Sequence, residues 1–263
     1  MGKREASAAG FYYPGEKGEL QQQLKLLFNG VPKQARTRCV VAPHAGYPYS
    51  GKTAAYSFSA LKESKTFVIM GPNHTGLGPM ISVSDADSWE TPLGTIPIDS
   101  ALRKSLLEKL GIEADDIAHV QEHSIEIQLP FLQHLFKGFK ILPITIMEQR
   151  QQELLGLGKA LALLGKGFSV IASSDFTHYE PLAAAKEKDF GAIKKIEALD
   201  AKGFYREVVS KNLSICGFSP ITALVQYCSK TGFEKGRLLH YGTSADETGD
   251  EASVVGYASI GFY

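Results

Sequence analysis

Three short apolar runs in this chain end in residues able to do chemistry. Val40-Val41-Ala42 leads into Pro43 and His44. Phe67-Val68-Ile69-Met70 leads into Gly71, Pro72, Asn73 and His74. Val170-Ile171-Ala172, the end of FSVIA (168–172), leads into Ser173, Ser174, Asp175 and, three residues later, His178. Runs that are apolar throughout read as strands covered on both faces, as in a mostly parallel sheet. Ligands in open α/β sheets sit outside the carboxyl ends of such strands. If the three strands are parallel neighbours, His44, His74, Asp175 and His178 meet in one polar pocket at the sheet edge. Neutral imidazoles with a carboxylate suit iron, zinc, copper or nickel. Imidazole also moves protons near neutral pH. The expected division makes His44 and His74 metal ligands and His178 the acid/base. Asp175 is then either a ligand or the group that orients one. A single histidine after a strand is ordinarily a hydrogen-bonding surface residue, so the recurrence carries the reading. The strand expected at 139–146 runs into Met147-Glu148 with no histidine.

Cys216 stands just before a helix expected to begin at Pro220. A thiol near a helix N-terminus feels the positive end of the dipole, which favours the metal-binding thiolate. A small, inert, buried side chain is the competing reading, and position alone favours it. Cys39 in a strand and Cys228 in a helix read as structural. His123 and Glu126, three apart, could share a helix face and line the pocket. His119 and His134 read as surface residues and His240 as structural. Ser173 or Ser174 with Asp175 and His178 would suit a hydrolase, but no G-x-S-x-G elbow surrounds them. The glycines of 71–79 form neither a dinucleotide nor a Walker A loop.

These residues need a scaffold. Strands are expected at 38–42, 66–70, 80–84, 95–98, 139–146, 168–172, 237–241 and 253–260. Helices are expected at 18–28, 52–61, 101–110, 124–136, 149–164, 181–199, 201–211 and 220–229. Gly30 and Gly111 mark helix ends, and Ser100, Asp200 and Ser219 read as N-caps. No repeat, linker or compositional shift divides the chain, so one α/β domain over residues 1–263 is expected. Its central, mostly parallel or mixed sheet should carry helices on both faces, with 253–260 pairing late and antiparallel.

Composition narrows the partners. Lys+Arg and Asp+Glu both number 28 in the 263 residues, which removes the simplest case for nucleic acid or an anionic membrane. No apolar run approaches the roughly 20 residues that span a bilayer. Three cysteines do not make a disulfide framework, no secretory leader is evident, and the Met-Gly start lacks a myristoylation pattern. A cytoplasmic setting is the expectation.

With these residues in view the sequence resembles the Memo family, called AmmeMemoRadiSam system protein B in prokaryotes. The resemblance rests on REASAAGFYYPG (4–15), VVAPHAGYPYSG (40–51), GPNHTG (71–76), ETPLGTIPID (90–99), EHSIEIQLPFL (122–132), SSDFTHYE (173–180), SICGFSPI (214–221) and SVVGYASIGF (253–262). It implies a fold similar to class III extradiol dioxygenases, the non-haem iron enzymes that open catechol rings. By that likeness His44 and His74 are metal ligands and His178 is the catalytic histidine, with Asp175 beside it. Cys216 stands where the dioxygenases have a glutamate ligand. A thiolate softens the site toward copper while leaving iron possible, so ring opening is not inherited from fold alone.

The family includes eukaryotic members described as phosphopeptide-binding effectors of cell motility and as copper- or iron-binding redox proteins. Prokaryotic relatives accompany radical-SAM-type and AMMECR1-like proteins, which are the implied partners. The expected function is a metal-dependent redox protein acting on an unknown small molecule. The alternative is a non-catalytic module that binds a peptide or partner protein in the same pocket, rimmed by Tyr47, Tyr49, Trp89 and Phe218.

Overall fold

The computed structural model describes residues 2–147 and 149–263; Met1 and Glu148, both used in the sequence reading, lie outside them. In chain order the first elements are β1 (Lys3–Arg4), α1 (Lys17–Phe28), β2 (Cys39–Ala42), α2 (Tyr47–Ala60) and β3 (Thr66–Pro72). Next come β4 (Ile81–Val83), β5 (Ser88–Thr91), β6 (Gly94–Pro97), α3 (Ser100–Leu110), a 3-10 turn (Glu126–Gln128) and α4 (Leu129–Leu135). The chain continues with β7 (Lys140–Ile146), α5 (Gln151–Leu163), β8 (Ser169–Ser173), β9 (His178–Glu180), α6 (Leu182–Glu197) and α7 (Ala201–Ser210). It closes with α8 (Phe218–Thr231), β10 (Gly236–Thr243), α9 (Ala245–Thr248) and β11 (Val254–Phe262).

The large sheet runs β10-β11-β2-β8-β3-β7-β4, with β9 paired to β11 off this path. Strands β2, β8, β3 and β7 are parallel. β4 and β11 flank them antiparallel, and β10 pairs antiparallel with β11. The late antiparallel strand is therefore where the sequence placed it, and the sheet is mixed. A second sheet, β1-β5-β6, is small.

Alternation along each buried strand divides the core in two. Cys39, Val41, Val68, Met70, Val170 and Ala172 face one way, with residues of α5 to α8. Val40, Ala42, Phe67, Ile69 and Ile171 face the other, with residues of α1, α2 and α4. Helices cover both faces, as expected of strands that show no polar side.

The differences lie at the ends of elements. Helix α2 starts at Tyr47, not at 52, because Pro48 suits a first helical turn. Its early start brings the helix up against the loop that carries His44. The helix expected at 124–136 is a 3-10 turn followed by α4, with Pro130 in the first turn of α4. Asp99, not Ser100, caps α3 by accepting from the Leu102 N–H, while Asp200 caps α7 as expected. Gly217, not Ser219, is the N-cap of α8. Strands β1, β5 and β9 are not among those expected; β1 and β9, of two and three residues, are too short to leave a periodic signal.

On the α1/α2/α4 face, Phe131 stacks on Phe58 at 4.8 Å between centroids and leans on Tyr47 at the same distance. All three are fully buried. Phe131→Ala should cost about 3–5 kcal/mol in urea unfolding, well above what Phe11→Ala, on the surface, should cost.

Candidate metal centre

His44, His74 and Asp175 each lie two residues beyond the last residue of a parallel strand, namely β2, β3 and β8. β8 sits between the other two, so Asp175 lies between the histidine loops. The Asp175 carboxylate accepts the His44 N–H at 2.8 Å and the Ala45 N–H at 3.3 Å. The Asp175 N–H in turn donates to Cys216 Sγ at 3.3 Å. Cys216 comes from the α7–α8 connection, and its sulfur is 3.3 Å from His44 Nε2. Ligand atoms of His44, His74 and Cys216 all lie within 4.8 Å of one another.

Hydrogen bonds settle which ring nitrogens carry protons. Ser173 Oγ donates to the Ser124 carbonyl at 2.6 Å and accepts from Gln128 Nε2 at 2.8 Å. Its remaining lone pair accepts from His44 Nδ1 at 2.9 Å, leaving Nε2 unprotonated toward Cys216. His74 Nδ1 donates to the Glu122 carboxylate at 2.9 Å, so in the neutral ring Nε2 is the nitrogen with the free lone pair. His178 Nδ1 donates to the Ser214 carbonyl at 2.7 Å, which leaves Nε2 as the nitrogen open to proton exchange.

These contacts also answer the hydrolase reading. The Ser173 hydroxyl is fully engaged, and the Ser174 hydroxyl donates to the Asp175 carbonyl while accepting the Gly217 N–H. Neither is free to attack.

Burial sets the charge states. It pushes the His44 imidazole down to about 3, with His74 adding to the effect. It takes His123 down to about 4, with His44 next in weight. Both are neutral at ordinary pH, the form that binds metal. Burial alone would raise the Glu122 carboxyl, but the His74 hydrogen bond and the nearby imidazoles outweigh it and bring it down to about 2. Burial pushes the Asp175 carboxyl up, although the His44 and Ala45 N–H groups oppose this.

Cys216 departs from the sequence argument. Its thiol is raised, by burial first and then by the Asp175 carboxylate. It precedes the N-cap of α8, and desolvation outweighs the helix dipole there. Deprotonation therefore needs a compensating positive charge.

Two glycines permit the close approach. A Cβ on Gly71 would run into Ser124 and Ile125, and one on Gly217 would run into Ser173 and Ser174.

Several placements differ from expectation. Tyr47 and Trp89 are fully buried and do not rim the site. Phe218 is partly buried against the core beside Tyr205, whereas Tyr49 is exposed. His119 is buried, not on the surface, and its ring meets Trp89 edge-on at 5.6 Å. His134 is half-buried and stacks on Phe28. His240 is structural as read, stacking on Tyr56 and bonded to Thr53. His123 does join the site, stacked on His74 at 4.7 Å and on Tyr12 at 4.3 Å.

Glu126 turns away from the site. It forms a buried ion pair with Arg4 and accepts from Ser7 and Ala8 N–H and from Tyr13 Oη. Arg4 also donates to the His119 and Glu122 carbonyls at 2.8 Å and lies 4.2 Å over the Trp89 ring. Sequence reasoning missed Arg4 and the role of Glu122. Glu122 was visible only as the neighbour of His123.

Fold and site together define a mixed α/β protein with a His, His, Cys donor set able to hold a metal ion. A family profile described as Memo-like protein matches residues 4–261. The chain belongs to the Memo family. It is 44% identical to a MEMO1 family protein of Methanosarcina mazei, over 99% of both chains. It is 40% identical to one from Methanopyrus kandleri, again over 99% of both. Among solved structures it is similar to an uncharacterized protein, JW3007, from Escherichia coli K12. That match has a TM-score of 0.58 at 13% identity and covers 86% of this chain and 100% of the other, a likeness of fold. Among the described residues no helix is long and apolar enough to cross a membrane.

Arg4→Met strands the Glu126 carboxylate without its partner and should cost about 3–5 kcal/mol in urea unfolding. Adding Glu126→Gln should recover part of that loss.

Asp189 of α6 holds the loop between Asp175 and His178, accepting the Thr177 N–H at 3.0 Å, the Thr177 hydroxyl at 2.6 Å and the Tyr241 hydroxyl at 2.7 Å. Burial raises its carboxyl, against the pull of those hydrogen bonds and of nearby His178. The folded state therefore keeps this proton to higher pH than the unfolded chain does. Its contribution to stability falls as pH rises from the unfolded value through the folded one, and is level above. Asp189→Asn should remove that decline from unfolding midpoints measured from the ordinary carboxylate range upward.

Proposed function

We propose that this protein is a metal-dependent redox protein that holds iron or copper on His44, His74 and Cys216. The observation that carries the reading is the convergence of two imidazoles and one sulfur, their ligand atoms within 4.8 Å of one another and each imidazole fixed at Nδ1 by a hydrogen-bonded group. That backing is what metal-ligating histidines require, because it sets both tautomer and ring orientation. The donors fit a soft or borderline ion, and a bound cation would offset the cost of ionising the Cys216 thiol. When bound, such an ion would supply one-electron chemistry and open positions for dioxygen and a small electron-rich substrate.

The chain's own residues would do the rest. His178 Nε2 accepts a proton from a bound substrate hydroxyl, while its Nδ1–H stays on the Ser214 carbonyl. Asp175 holds the His44 backbone and the sulfur in place rather than serving as a ligand. Exposed Phe11, Tyr49 and Tyr179 support a second reading, in which a peptide or partner protein docks over the same centre. Phe11 and Tyr179 adjoin Tyr12 and His178 in the chain.

Protein purified without oxygen should carry close to one equivalent of iron or copper by elemental analysis. His44→Ala with His74→Ala should abolish it. His178→Gln should keep the metal and lose substrate-dependent oxygen uptake. Metal content unchanged in the double variant would overturn the ligand assignment. Recovery of one partner protein equally by wild type and double variant, with no oxygen uptake, would favour the docking reading.

A further inference from the structure

The sheet has a second edge. Its parallel strands begin there, at the opposite end from His44, His74 and Asp175. Arg36, Thr37 and Arg38 precede β2, Lys62 precedes β3, and Lys166 precedes β8. Antiparallel β11 brings Phe262 and Tyr263 to the same edge, and the end of α8 adds Tyr227 and Phe233. These residues line a cavity of about 600 Å³.

Its side-chain charge is one-sided. Four cations line it, Arg36, Arg38, Lys62 and Lys166, and no Asp or Glu does. Among the described residues none of the four is in an ion pair. The two arginines are already held in place. Arg36 donates to the Ser59 carbonyl at 3.0 Å, and Arg38 donates to the Lys166 carbonyl. A carbonyl takes up one N–H of a guanidinium and leaves others free for an anion. Lys62 and Lys166 make no side-chain hydrogen bond among the described residues and supply mobile charge.

The walls add a second chemistry. Tyr227 is fixed through its hydroxyl to the Gly165 carbonyl, and Tyr263 through its hydroxyl to the Ala35 carbonyl. Phe233 and Tyr263 stack on no other ring among the described residues. Gly232, the left-handed C-cap of α8, leaves the wall beside them low. Inorganic phosphate would fill a small part of such a volume, whereas sites of this size suit an organic ligand. Flat rings beside clustered cations match a planar base joined to phosphate, since bases stack on aromatic faces and guanidinium pairs with phosphate oxygens.

We propose that this cavity, lined by Arg36, Arg38, Lys62, Lys166 and Phe233, is a binding site for a free nucleoside phosphate, separate from the metal centre.

The test is titration of the full chain with ATP, pyrophosphate, inorganic phosphate and a single-stranded oligonucleotide by calorimetry. ATP should bind in the micromolar range and weaken as salt rises. Arg36→Glu with Lys62→Glu changes two exposed residues and should weaken ATP at least tenfold with metal content intact. Phe233→Leu should weaken ATP but not pyrophosphate. His44→Ala with His74→Ala should leave ATP binding unchanged, which separates this site from the metal centre. No ATP binding at millimolar concentration would overturn the proposal, as would equal affinity in the charge-reversed variant. Phosphate or pyrophosphate binding as tightly as ATP would overturn the nucleoside part. A preference for the oligonucleotide would make the cavity a nucleic-acid contact instead.

Discussion

The Asp175 carboxylate is the knot on which the candidate centre depends. Three segments far apart in sequence meet at this residue: the loop after β2, the loop after β8 and the approach to α8. A carboxylate buried in that position is tolerable only because two backbone N–H groups point at it. The same residue uses its own N–H to hold the Cys216 sulfur. Position in the sheet explains why one aspartate can do this. β8 lies between β2 and β3, so a side chain two residues past its end reaches both histidine loops.

A second layer of contacts holds the far side. The segment from His119 to Gln128 has little regular structure, yet it supplies Glu122 to His74, the Ser124 carbonyl to Ser173, and Gln128 to the Pro43 carbonyl. Arg4 pins that segment from the N-terminal strand β1 through two carbonyls and Glu126. A buried ion pair is weak evidence for stability but suits fixing one geometry among several. Here it fixes an irregular segment whose carboxylate must meet an imidazole within hydrogen-bonding distance. The order of the site thus extends to residue 4, over a hundred residues from Glu122 in sequence.

The sequence made the strand-end residues visible because both signals were local. Apolar runs of three or four residues mark β2, β3 and β8, and His44, His74 and Asp175 follow them two to four positions later, outside the sheet. That placed His44, His74 and Asp175 together before any contact was known. What stayed hidden was long-range. The Arg4–Glu126 pair spans 122 positions, and no periodicity connects its members. Trp89 and Tyr47 looked like pocket aromatics because burial cannot be read from residue type at a motif's edge. His119 looked exposed for the same reason. The Cys216 argument failed differently, since proximity to a helix start was read correctly but the desolvation that outweighs it was not legible.

The choice of third donor can be argued from these contacts. Glu122 is the carboxylate bonded to the His74 ring, and a His, His, Glu set would need one of its oxygens. One oxygen accepts the His74 N–H and the other accepts both His74 Nδ1 and the Ser124 N–H. Turning it inward would release three donors in a buried setting, and each unpaired buried donor costs about 1–3 kcal/mol. Asp175 is similarly committed to two N–H groups. Cys216 is held only by long contacts, as its sulfur accepts the Asp175 N–H at 3.3 Å and lies 3.6 Å from the Asp175 carbonyl and 3.3 Å from His44 Nε2. The carboxylates therefore serve as the frame, and the sulfur is left as the donor that can meet an ion. Because burial raises that thiol, a cation bound at the sulfur would be linked to release of its proton.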